Sequence, residues 1–287
     1  MKTSAINPTT RRAFLKKGVA ASLLFAMPAV FLKGQGAAIA DGGVFMTGRS
    51  EKAPRPMYKV LDIPEPAIGK NNVQSVGFYG EKYYVFHHGS IVQEFAGGAF
   101  KREYKIKNGR LFHPNDACFH NDQLWICDTG DTDEPPSIKR VDIATMSVVE
   151  TLIINKPGWR TASVAFESDT VLYCCQVEAI DKTTRKRFLV RKYDRAAKKV
   201  LQEWYFPLDQ YYVQGCALDG KHLYVTTNNG ARPCSKFRKL NLAQSMVEEV
   251  VVFDTFGESE GLQVLRIGGR LNILTAKKGG VYRIVME

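Results

Sequence analysis

Five times along this chain the same short pattern returns: a polar residue, an apolar strand, a turn, a second apolar strand and a polar end. The copies span residues 74–88, 115–128, 162–176, 214–228 and 260–275. Their starts lie about 40 to 50 residues apart, which is the period of a four-stranded propeller blade. One such hairpin cannot bury both of its faces alone. A period of this kind therefore commits the chain to stacking its copies around a closed ring.

Two further strands follow each hairpin. Residues 138–143 and 148–154 supply them in the second copy, 188–193 and 200–206 in the third, and 237–242 and 250–253 in the fourth. These runs are apolar or alternating, as buried and half-buried strands are. The fifth copy stops after one further strand, at 281–285, where the chain ends. Residues 57–63 form an orphan strand ahead of the first copy. The economical arrangement is an all-β, five-bladed β-propeller over 57–287, closed by that N-terminal strand completing the last blade. Residues 41–56 read as a flexible lead-in.

Ahead of it, Thr10-Arg11-Arg12-Ala13-Phe14-Leu15-Lys16-Lys17 has the layout of a twin-arginine export signal. An apolar stretch over 18–32 and the small-residue site Ala38-Ile39-Ala40 complete a cleavable leader over 1–40. The apolar stretch is shorter than the roughly 20 residues of a bilayer span, and Pro28 interrupts it. The expectation is a periplasmic or secreted protein that meets the twin-arginine translocase during export and keeps no membrane anchor after cleavage.

The whole chain has 40 Lys and Arg against 29 Asp and Glu, a net of +11. Six of those positives (Lys2, Arg11, Arg12, Lys16, Lys17 and Lys33) belong to the leader, so the mature part carries 34 against 29, or +5. That mild excess suits an anionic glycan or a membrane surface. No dense basic run with interleaved aromatics points to nucleic acid. The six cysteines show no C-x-x-C spacing, and four lie within apolar strand patterns, so they read as buried free thiols.

Strands in a blade alternate direction, so inner-strand starts and second-strand ends open on one face beside the channel. The polar residues of the repeat gather there: Gln74, Asn115, Asp116, Gln214, Glu258 and Glu260 from the starts, and His88, Asp128, Gln176 and Asn228 from the ends. Convergent polar groups on rigid strands suit a small polar ligand. They equally suit a network that satisfies itself. His88 and His113 have the pKa range of a general acid or base. Asp116 and Glu260, from non-adjacent blades, offer a carboxylate pair for glycoside cleavage. His120 and His222 fall in hairpin turns and read as exposed. The acidic stretch Asp128-Thr-Gly-Asp131-Thr-Asp133-Glu134 lacks EF-hand spacing and reads as a solvated loop, with Ca²⁺ as the secondary reading. No cofactor motif appears.

Four short strand starts carry a resemblance: Gln74-Ser-Val, His113-Pro-Asn-Asp116, Val213-Gln-Gly215 and Glu258-Ser-Glu-Gly-Leu262. In this order they are similar to strand starts of secreted bacterial propellers of the helveticin J and teichoic-acid-biosynthesis-C-like group. The first copy has Gln-Ser where that group has Gln-Gly, and the third copy has no match. The resemblance implies a propeller acting at cell envelopes. Three function classes follow from the whole reading. One is a protein that binds a polar or anionic envelope ligand, in the first place a glycan, at the channel mouth. The second is a polysaccharide hydrolase or lyase using the same carboxylates and histidines. The third is a scaffold for an exported partner.

Overall fold

The computed structural model describes residues 44–48, 55–67, 72–130, 134–230 and 232–286. The leader and residues Asp131 and Asp133 of the acidic stretch lie outside them. Two strands come first, β1 (Val44–Gly48) and β2 (Arg55–Asp62). Blade one holds β3 (Val73–Tyr79), β4 (Lys82–His87), β5 (Ile91–Ala96) and β6 (Ala99–Lys105). Blade two holds β7 (Pro114–His120), β8 (Gln123–Asp128), β9 (Ser137–Asp142) and β10 (Ser147–Leu152). Blade three has β11 (Trp159–Phe166), β12 (Val171–Glu178), β13 (Arg187–Asp194) and β14 (Lys199–Pro207). Blade four has β15 (Tyr212–Asp219), β16 (His222–Asn229), β17 (Arg232–Asn241) and β18 (Met246–Phe253). Blade five is built from β19 (Glu260–Ile267), β20 (Arg270–Lys277) and β21 (Gly280–Val285).

Each of blades one to four is an antiparallel meander running outward from the channel. Blade five takes the order β19-β20-β21-β2-β1, so the N-terminal strand pairs with the C-terminal one and closes the ring. The inner strands β3, β7, β11, β15 and β19 neighbour one another in sequence, and β19 packs back against β3. At that seam the Gln263 amide imitates a strand partner: it takes the Phe78 N–H and donates Nε2 to the Phe78 carbonyl at 2.9 Å. The sequence reading starts the propeller at residue 57 after a flexible lead-in. Here β1 and the first residues of β2 carry the last sheet into 41–56.

The repeat is readable in the sequence because second strands are buried on both sides. Successive side chains of a strand point to opposite faces, and in this ring both faces meet another blade. In β8, Leu124 and Ile126 pack toward blade one while Trp125 and Cys127 pack toward blade three. In β12, Leu172 and Cys174 face blade two, and Tyr173, Cys175 and Val177 face blade four. Five apolar cores fill the five gaps between blades. Each buried Leu, Ile or Phe there contributes about 1.5–3 kcal/mol. All six cysteines are free thiols, and Cys127, Cys174, Cys175 and Cys216 are buried in these cores.

Candidate functional site at the channel mouth

At one level of the ring every inner strand slips against its second strand. The register shifts fall between Val73 and Ser75, Pro114 and Asp116, Thr161 and Ser163, Val213 and Gly215, and Glu260 and Gln263. A bulge leaves one residue out of the ladder and re-aims its side chain. The residues so released are Gln74, Asn115, Ala162 and Gln214, with Gly261 and Leu262 in β19. This shared irregularity turns polar groups inward at the channel mouth.

Directly below, one carboxylate ties the ring together. Asp116 Oδ2 accepts the backbone N–H groups of Val164 (3.2 Å) and Cys216 (3.1 Å), and Oδ1 accepts that of Leu262 (3.2 Å). Those amides belong to blades three, four and five. Asn115 Nδ2 adds bonds to the carbonyls of Ala162 (2.7 Å) and Val213 (3.1 Å). The inner strands meet so closely that a Cβ on Gly215 would collide with the backbone of Gly261 and Leu262. Burial pushes the Asp116 carboxyl well above the usual range, against the pull of the amides of Cys216, Leu262, Val164 and Ala117. Asp116 is 0% exposed. It is enclosed by its own chain, so the geometry makes it a tie between blades and not an acid or base within reach of a substrate.

Three other residues of the sequence-derived ring also spend themselves on the fold. Asp128 accepts from the N–H groups of Phe112, His113 and Gly130 and from Lys139 Nζ at 2.9 Å. Gln176 accepts from the Lys156 N–H and donates to the Ile154 carbonyl. Asn228 joins the Ser259 carbonyl to the Gly230 N–H. With Asp128 committed to Lys139 and loop amides, the acidic stretch brings no cluster of metal-ligating side chains together among the described residues.

What remains at the mouth is a smaller group drawn from blades one, two, four and five. His88 and His113 meet edge to face, their rings 4.6 Å apart. His88 Nδ1 lies 2.9 Å from the Phe112 carbonyl; a carbonyl only accepts, so that nitrogen carries the proton. Burial, together with His88, pulls His113 down to about 4, so its imidazole is neutral at pH 7. Glu258 is raised by burial, while the Gln214 hydrogen bond (3.2 Å), Lys182 and His88 act in the opposite direction. Glu260 is raised well above the usual range by burial and then by the neighbouring Glu258 charge. The carboxyl beside Glu260 is therefore Glu258, not the enclosed Asp116. Several buried oxygens here have no partner, among them Gln74 Oε1, Glu260 Oε2, Ser75 Oγ and Asn229 Oδ1.

Lys182 and Tyr212, 2.8 Å apart, complete the setting, and strand-start reasoning missed both. Lys182 lies in the β12–β13 loop, whose run Lys182-Thr-Thr-Arg185 was the available signal. Residues 257–261 also have the G-x-S-x-G spacing of a nucleophile elbow. That motif needs a strand-to-helix turn with an exposed serine. Here it leads into a strand, and Ser259 is buried with its Oγ 2.6 Å from Thr226 Oγ1. His120 and His222, expected to be exposed, are half-buried and paired with Asp169 (3.1 Å) and Glu248 (3.0 Å).

The chain matches no protein-family model and no curated protein sequence. Among solved structures it is similar to hydrazine synthase of Kuenenia stuttgartiensis, with 14% identity over 74% of this chain and a TM-score of 0.42. It is also similar to the WD40 β-propeller domain of Doa1, with 15% identity over 77% of this chain and a TM-score of 0.44. It spans 58% and 66% of those two chains. The glutaminyl cyclase of Myxococcus xanthus aligns over 80% of this chain and 97% of its own, at 10% identity and a TM-score of 0.50. At such identity the likeness is one of fold: this chain is a five-bladed β-propeller.

Proposed function

We propose that this chain is an exported propeller that binds a polar envelope ligand, in the first place a glycan, at the channel mouth. The binding residues are Gln74, His88, His113, Gln214, Glu258 and Glu260. One observation carries the reading. Most of the polar ring is saturated by its own chain, yet Gln74 Oε1 and Glu260 Oε2 are buried without partners. Leaving such a group unpaired costs about 1–3 kcal/mol. The amide oxygen accepts, and the protonated Glu260 carboxyl can both donate and accept, so the complementary groups are hydroxyls, such as those of a sugar, which do both. With Glu258 and Glu260 side by side, the recognised part of the ligand is neutral rather than anionic.

The test is the melting temperature of the mature chain, from residue 41, against neutral and anionic glycans. Ligand at a hundredfold its Kd stabilises the native state by about 2.7 kcal/mol. A neutral glycan should raise Tm, and Gln74→Met, which keeps bulk but cannot accept in the same way, should abolish the rise. No shift across the panel would remove the glycan reading and leave the scaffold for an exported partner. A hydrolase or lyase is the second reading, favoured by one feature: a carboxyl kept protonated by burial beside a second carboxyl and a neutral imidazole. It requires release of new sugar ends from a bound glycan, lost in Glu260→Gln with binding retained.

A further inference from the structure

Over blades three and four the channel mouth continues outward into a basic rim that the binding residues above do not use. Lys182 and Arg185 lie in the β12–β13 loop, and Arg160 is the second residue of β11. Strand direction brings all three to the mouth face, as it does Tyr212 at the start of β15. Lys182 Nζ donates to Tyr212 Oη at 2.8 Å and lies 5.3 Å from the centre of that ring. A Cβ added to Gly230 would stand 3.2 Å from the Tyr212 ring and 3.9 Å from Glu258 Oε1. The rim thus adjoins the carboxyl that Gln214 holds in the mouth.

The charges of this rim are unevenly matched. Arg185 donates to the carbonyls of Glu178 (2.9 Å), Tyr211 (2.9 Å) and Ile180 (3.4 Å), which fix its guanidinium without neutralising it. Arg160 is exposed and makes no ion pair or hydrogen bond among the described residues. Lys182 is exposed too, and its partner is a phenol rather than a carboxylate. Burial lowers Arg185, and Arg160 adds to that while Tyr212, Asp181 and Glu178 oppose it. Of those two carboxylates, Glu178 accepts from Arg187 Nε at 3.2 Å. Asp181 accepts from the N–H (2.8 Å) and the hydroxyl (2.6 Å) of Thr183. Glu258, the next carboxyl inward, is raised by burial although Gln214 and Lys182 pull it down. Three cations therefore share little more than the charge of Asp181.

We propose that the ligand is an acidic glycan, with neutral hydroxyls in the channel mouth and a sugar carboxylate on the rim of Arg160, Lys182 and Arg185. The inference rests on the channel-mouth reading and adds the charged group that Glu258 and Glu260 keep out of the mouth itself. Arg160 presents a free guanidinium fork, which matches a carboxylate in two-point contact. Lys182 has two N–H groups left after Tyr212, and Arg185 supplies charge from a fixed place. A lipid surface would call for an apolar face beside the cations. Of the large apolar side chains exposed by about half or more, this loop contributes Ile180 alone.

The test titrates the mature protein with oligomers of galacturonate, glucuronate and mannuronate, each as free acid and as methyl ester, in a calorimeter. The ester keeps the sugar and removes the charge, so the ratio of the two Kd values reads the rim alone. The acid form of the oligomer that binds should be held about tenfold or more tighter than its ester, with the gap narrowing as NaCl rises. Arg160→Gln combined with Lys182→Met should bring the ratio to about one. Equal binding of acid and ester, both lost in Gln74→Met, overturns this inference and leaves the channel-mouth reading standing. A preference for the acid that survives the double substitution overturns it as well. If no form of any oligomer binds, the channel-mouth reading falls and this inference with it. Binding to phosphatidylglycerol vesicles that the double variant loses, with no acid preference among the oligomers, would make the rim a membrane contact instead.

Discussion

Glu260 and His113 sit within one polar cluster and bend the pH dependence of stability in opposite directions. Burial raises Glu260 in the folded state, so the native protein holds a proton that the unfolded chain releases. Its effect is to lower stability as pH rises from the unfolded carboxyl pKa, about 4.3, toward the folded value. Within that window the slope is about 1.4 kcal/mol per pH unit. His113 is lowered to about 4, so the unfolded chain binds the extra proton. Stability is then lost as pH falls from about 6.5 through 4. Glu260→Gln should match the parent near pH 4 and exceed it at pH 8, measured as Tm against pH. A Tm–pH curve that coincides with the parent's would mean that the Glu260 carboxyl is not held protonated by the fold. His113→Gln should instead flatten the acid limb and leave pH 8 unchanged.

The inner strands show what a single glycine position can decide. Gly215 stands where β15 meets β19, and any added carbon there runs into the Leu262 nitrogen and the Gly261 carbonyl carbon, which are backbone and cannot swing away. Gly215→Ala should lower stability by about 1–3 kcal/mol in urea unfolding. Gly257→Ala, with open space around its position, should leave the midpoint in place. The same strands explain how far the sequence could be read. Hairpins such as β7–β8 stand out because β8 is apolar on both faces, and turns such as Asn121-Asp122, both at positive φ, mark the reversal between them. The polar residues at the strand starts were visible for the same reason. Their employment was not: the partners of Asp116 are the backbone amides of residues 164, 216 and 262, which any side chain would supply.

At the scale of the molecule, the ring depends on one borrowed strand. β2 pairs with β21 from Met57 to Asp62, and Arg55 reaches across to Glu249 of β18 at 2.9 Å. Deleting 55–63 should abolish cooperative unfolding in calorimetry. A deletion variant that still melts in one sharp transition would show that the other four blades and three strands close without it. The tie at Asp116 also sets the order of events during folding. Its amide partners lie 48, 100 and 146 residues away along the chain, so none is delivered by local structure. Contacts of such separation form slowly and late. Until blade five arrives, the Asp116 carboxyl has only part of its amide set, and a chain cut short or stalled before Leu262 keeps an unsatisfied buried acceptor at its centre. The centre of the ring thus acts as a completeness check on synthesis, passed only when the last blade is in place.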